Sequence, residues 1–143
     1  MTLTRTQIDL VRHSFALVEP IAPQAAALFY SHLFAADPML RPMFRGDMQM
    51  QGQRLMQMMA AAVSLLEMPE QLNTALRKLG QRHVGYGVQD QHYPTVGAAL
   101  IRTLSDGLGE QFTPEVRAAW VTMYAMVSQA MMDAAREMEP AAA

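Results

Sequence analysis

The chain has 143 residues, 51% of them hydrophobic, with 11 basic and 13 acidic side chains, four histidines and no cysteine. That length and apolar content allow one compact domain with a sizeable core. The formal charge of −2, without a basic stripe, excludes nucleic acid as the main partner, because neutralising phosphates takes clustered cations; the missing cysteines exclude disulfides, iron–sulfur clusters and any thiolate metal ligand.

The hydrophobic period is helical nearly throughout. Ile8, Val11, Phe15 and Val18 recur at helix spacing behind Thr4-x-x-Gln7, a capping-box pattern. Pro20 and Pro23 mark a corner, after which Ala26, Phe29, Tyr30 and Leu33 form a second apolar face. Asp37-Pro38 reads as an N-cap and first position of a short third helix, with Pro42 close behind, then Phe44 and the turn cluster Arg45-Gly46-Asp47.

A strong helix is expected from about Met48 to Leu66, with Leu55, Met58, Met59, Ala62, Val63 and Leu66 on one stripe. Met68-Pro69-Glu70 starts the next, in which Leu72, Ala75, Leu76, Leu79 and His83 share a face, and Gly85 and Gly87 end it. Asp90 is the expected cap of a helix to about Leu108, with Val96, Leu100 and Leu104 inward; Gly107 and Gly109 close it. Thr113-Pro114-Glu115 starts a last helix whose face holds Val116, Ala119, Trp120, Met123, Val127, Ala130 and Met131. No segment alternates apolar and polar residues as a strand would. The expectation is a single all-α domain over residues 1–143, of six to seven unequal helices, frayed at about 1–3 and 139–143.

The N-terminus lacks the apolar stretch of a signal peptide. The longest apolar run, around Met58 to Leu66, falls short of the roughly 20 residues that a membrane span needs. A soluble cytoplasmic protein with no membrane span, as monomer or homodimer, is the expectation. The 14 methionines read first as flexible filler of an irregular core.

His83 is the most informative residue. Its stripe partners place the ring on a buried face near a helix end, where it is either a hydrogen-bonded core residue or a metal ligand. A neutral imidazole buried without a partner costs on the order of 1–3 kcal/mol, and iron would remove that cost. Tyr30, beside Phe29 and Leu33, faces inward and needs a partner for its hydroxyl. Gln51 and Leu55 share a helix face. Other chemistry is not visible: the acids are scattered, the serines lie in helical segments without a nucleophile elbow, and no phosphate-binding glycine loop follows a strand. His83 and His92 match no standard metal spacing.

The ordered set Phe29-Tyr30-x-x-Leu33-Phe34, Asp37-Pro38, Arg41-Pro42-Met43-Phe44, Arg82-His83, Tyr86-Gly87-Val88, His92-Tyr93-Pro94-x-Val96-Gly97 and Ala119-Trp120-x-x-x-Tyr124 resembles bacterial single-domain haemoglobins and the haem half of flavohaemoglobins. The likeness runs from about Ile8 to Met131. It implies a globin fold around haem b (iron protoporphyrin IX), with His83 as proximal iron ligand and Leu79, Phe44, Leu55 and Tyr93 around the cofactor. Phe44 would pack on the haem plane, and the Tyr93 hydroxyl would join a network near His83. Tyr30 and Gln51 would be the distal polar pair, beside Leu55. The implied function is reversible binding of O2, with NO and CO as further ligands, for carriage, storage or delivery. The alternatives are NO dioxygenation using a separate reductase, and gas sensing. In one respect the chain departs from the family: aligning on Trp120 and Tyr124 puts Ala135 where relatives carry a Glu that completes the proximal network. Asp133 and Glu137 lie roughly 200° away around a helix and are not expected to replace it.

Overall fold

In the computed structural model, residues 3–44 and 46–137 are described. Over these residues the chain forms six α-helices and no strands: α1 (Arg5–Val18), α2 (Ala22–Ala36), α3 (Met48–Ser64), α4 (Pro69–Gly85), α5 (His92–Leu108) and α6 (Pro114–Glu137). Short 3-10 turns at Glu19–Ile21, Pro38–Met43 and Gly109–Gln111 join them. The all-α expectation holds. The expected frayed ends fall largely on residues 1–2 and 138–143, outside the described residues; Leu3 packs on the core.

The helix starts follow from their side chains. Thr4 Oγ1 accepts from the Gln7 amide at 3.1 Å while Gln7 Oε1 accepts from the Thr4 amide at 3.0 Å, closing the capping box of α1. Thr113 Oγ1 accepts from the Val116 amide at 3.3 Å at the head of α6. The short third helix is a 3-10 turn: Asp37 caps it through the Met39 amide at 3.1 Å, and Pro42 sits inside it. A proline has no amide proton to donate and its ring crowds the preceding turn, so the segment cannot grow into an α-helix. Asp90 does not cap α5. Gln91 occupies that position without a side-chain bond, and Asp90 instead accepts from Arg136 at 3.1 Å.

α6 packs on α1 and α4, whereas α2 packs on α3 and α5. The apolar faces meet in two clusters. The larger joins Val11, Phe15, Leu72, Leu76, Leu104 and Trp120; the smaller joins Phe29, Tyr30, Leu33, Leu40 and Ala99, and Leu100 flanks both. Two residues assigned inward by period alone are exposed: Ala75 and Met58. Each lies at the edge of its stripe, about 60° from the centre on one side of the helix.

Backbone contact sets one crossing. A Cβ built on Gly80 would lie 2.4 Å from the Met131 carbonyl oxygen and 2.8 Å from its Cα, so α4 and α6 touch there with no room for a side chain. Gly80→Ala gains about 1 kcal/mol of helix propensity but must push two helices apart, an overpacking cost of about 1–3 kcal/mol or more. Net destabilisation is expected, read as a lower urea midpoint with an unchanged slope. A more stable variant would show that the crossing relaxes freely.

Candidate cofactor pocket

α4 carries His83 to the site. Leu72, Leu76 and Gly80 bury its inner face, and Leu79 and His83 continue that face half-buried toward the C-terminal end. One turn before His83, the Leu79 carbonyl accepts from His83 Nδ1 at 2.8 Å. A carbonyl can only accept, so the proton is assigned to Nδ1 and Nε2 keeps its lone pair. Burial pushes the imidazole below its ordinary pKa; the Leu79 carbonyl pulls the other way, and the nearby Arg82 charge adds to the lowering. The ring is therefore neutral near pH 7, held at one nitrogen by the backbone, with no partner at Nε2 among the described residues. That is the donor chemistry an iron porphyrin requires of an axial imidazole, so His83 fits the implied haem.

The chain leaves α4 sharply. Val88 donates its amide to the His83 carbonyl at 3.0 Å, and Gly87 sits at φ +86°, a left-handed conformation that side chains disfavour. The turn faces Met43, whose Cε lies 4.0 Å from where a Gly87 Cβ would be. The loop after His83 therefore abuts the 3-10 turn Pro38–Met43, which leads into Phe44.

A second group of candidate residues is aromatic. The Tyr30 ring meets Phe44 edge-on at 5.3 Å, stacks on Phe34 at 5.8 Å and contacts Phe29 at 5.2 Å. Phe34 and Phe44 touch at 5.4 Å, and the Arg41 guanidinium lies 5.3 Å from the Phe34 centroid. Leu55 packs against the same cluster. The Tyr30 hydroxyl donates to the Gln51 carbonyl at 3.3 Å, a long hydrogen bond that a better acceptor could displace. Burial pushes the Tyr30 phenol up to about 12, so it remains a proton donor across the physiological range.

Asp47 fixes the register of Gln51. Its carboxylate caps α3 through the Gln49 amide at 2.9 Å, and its carbonyl accepts from the Gln51 amide at 3.1 Å. A Cβ on Gly52 would lie 2.9 Å from Ala26 Cβ, so α3 runs close to α2 beside the Tyr30–Gln51 contact. The expected distal pair is thus adjacent, joined through the Gln51 backbone.

Tyr93 is buried at the start of α5, and its carbonyl accepts from the Tyr124 hydroxyl at 2.7 Å. Burial first, and the Asp90 charge second, push the Tyr93 phenol up. Among the described residues its hydroxyl makes no hydrogen bond to His83. Ala135 is half-buried on α6. Asp133 and Glu137 point elsewhere: Asp133 accepts from Gln129 at 2.8 Å and Glu137 pairs with Arg77. Neither takes the place of the Glu that the resemblance calls for. His92 is also committed, its Nδ1 accepting from the Gln89 amide at 2.9 Å. No group of three or more His, Asp or Glu residues forms an ion site among the described residues.

Met43, Leu79 and Tyr124 are present in the sequence pattern, but their contacts are not: Met43 faces Gly87, the Leu79 carbonyl orients His83, and Tyr124 anchors the backbone of Tyr93. Of these contacts only the turn at Gly87 carries a sequence signal, as helix-ending punctuation.

Comparison with known proteins bears on the fold and the family. The flavohemoprotein of Vibrio cholerae is 27% identical over 134 residues, covering 92% of this chain and 34% of that protein. Flavohemoprotein B of Dictyostelium discoideum is 30% identical over 140 residues, covering 95% and 32%. The chain thus spans about a third of the length of these curated relatives. A bacterial globin from Campylobacter jejuni shares the fold with a TM-score of 0.82 at 23% identity, covering 94% of this chain and 98% of that one. The Globin family model matches residues 27–131, a span that includes Tyr30, Phe44, Gln51, Leu55, Leu79, His83 and Tyr93. With most of its length under that model, the chain belongs to the globin family.

Proposed function

We propose that the chain holds haem b through His83 and binds O2 reversibly, with Tyr30 and Gln51 on the distal side. The observation that carries this reading is the half-buried His83 ring, anchored at Nδ1 by the Leu79 carbonyl and with no Nε2 partner among the described residues; burial favours its neutral form. Haem, when bound, supplies an iron that takes a diatomic gas and polarises it. The chain's own residues do the rest. Leu79 fixes the ring tautomer and direction. Phe44 and Leu55 supply apolar surface that keeps water away. Tyr30 holds a proton on its hydroxyl that a polarised gas would accept in place of the Gln51 carbonyl. NO and CO are further ligands of the same site.

A hydrogen bond to a charged acceptor is worth roughly 1.5–3 kcal/mol. Tyr30→Phe keeps the ring contacts and removes the proton. Its O2 dissociation rate should rise about tenfold or more, measured by stopped-flow mixing of the oxygenated protein with CO. CO gains less charge, so its release should change less. An unchanged O2 rate would remove Tyr30 as the donor.

In a second reading the site oxidises NO to nitrate with O2 and a separate reductase restores the iron; the relatives' name, flavohemoprotein, pairs a flavin with haem and fits such a reductase. Ala135 tilts the balance toward carriage, since an acceptor beside the proximal imidazole would raise its basicity and push electrons toward O–O cleavage. Multiple-turnover NO consumption with a supplied reductase separates the two. Sustained turnover would place the enzymatic reading first.

A further inference from the structure

Away from His83, a surface groove of about 450 Å³ runs between α5 and α6. Its volume lies within the range of small-molecule sites. From α5 it takes a stripe at helix spacing, from Pro94 through Ala98 and Ile101 to Ser105, about 16 Å along the axis. From α6 it takes Arg117, Val121 and Tyr124. At one point along it the Tyr124 ring packs directly on Gly97, coming within 2.6 Å of where a Cβ would stand. Tyr124 is held in that place by its hydrogen bond to the Tyr93 carbonyl.

The groove is polar at one end only. The chain turns back at Gly109–Gln111, so the last turns of α5 lie beside the first turns of α6. Arg102, Ser105 and Arg117 therefore share the end near the turn, while Pro94, Ala98 and Val121 continue as apolar wall. Neither Arg102 nor Arg117 has an ion-pair partner among the described residues, unlike Arg5, Arg12, Arg77 and Arg136. Val121 is 45% exposed, an apolar side chain left in water beside two uncommitted guanidiniums.

We infer that this groove binds a single-chain anionic amphiphile, a medium-chain fatty carboxylate. The carboxylate lies at Arg102, Arg117 and the Ser105 hydroxyl, and the alkyl chain covers Ile101, Val121 and Ala98. Charge assistance at one end and apolar surface along the rest demand both parts of the ligand. The site is independent of the haem reading.

Decanoate below its micelle concentration, titrated into the purified full chain by calorimetry, tests this. Decanoate should bind without moving the visible absorption of the protein, while acetate and 1-decanol should bind at least tenfold more weakly. Arg102→Gln with Arg117→Gln should weaken decanoate at least tenfold, and Ala98→Phe should block the chain. All three positions are exposed, and far-UV circular dichroism checks that the fold survives. Binding that ignores these substitutions, or that shifts the Soret band, overturns the assignment. So does a groove that binds no decanoate and whose substitutions instead change the sedimentation of the chain, which would make its occupant a second copy.

Discussion

His83→Ala is expected to leave a folded helical chain that retains little haem. The α4 helix is held to α6 by Leu72, Leu76 and Gly80, none of which depends on the imidazole, so far-UV circular dichroism should stay close to that of the parent. Losing a hydrogen-bonding partner of a metal ligand typically costs about 10- to 100-fold in affinity, and losing the ligand itself should cost more. The expected observation is a Soret band reduced to a small residue after gel filtration, partly restored by added imidazole. A variant that kept the full band would require another anchor. His92→Ala serves as the contrast: that ring spends Nδ1 on the Gln89 amide, so its loss should leave haem retention unchanged.

Trp120→Ala should give the largest loss of stability, about 3–5 kcal/mol. The indole is 1% exposed, lies 6.3 Å from the Phe15 ring and donates to Ser14 Oγ at 2.8 Å. Ser14 in turn donates to the carbonyl of Leu10 at 2.7 Å, so the indole joins α6 to the backbone of α1. Its removal leaves both a cavity and a weakened bond between the two helices. Trp120→Phe keeps much of the volume and loses only the donor, so about 1–2 kcal/mol of the loss should remain. Urea unfolding of the three proteins reads the difference. Equal midpoints for Trp120→Ala and the parent would mean that the α1–α6 contact contributes little.

The site was legible in proportion to how local its causes are. The Thr4–Gln7 capping box, the Thr113 start and the Asp37-Pro38 turn depend on neighbours a few residues away, and all three form where the spacing puts them. The face holding Leu72, Leu76, Leu79 and His83 follows from the helical period alone. Ala75 and Met58 lie on the same kind of pattern but are exposed, because period says which residues share a face and not how wide the neighbouring helix is. Asp90 looked like a cap and became an ion-pair partner of Arg136, a residue far away in the chain.

The amino-acid sequence by itself determined the helical class, the position of His83 at the end of an apolar stripe, and the inward aromatic run around Tyr30. It also determined, by resemblance, the family. Tertiary structure decided the rest: that Tyr30 meets the Gln51 carbonyl, that Met43 faces Gly87, and that α5 and α6 part into a charged-ended groove. Each of these joins residues from different segments of the chain, and the distance between helices is set by side-chain volume at their crossings, at Gly52, Gly80 and Gly97 above all. Local propensity carries no information about those separations.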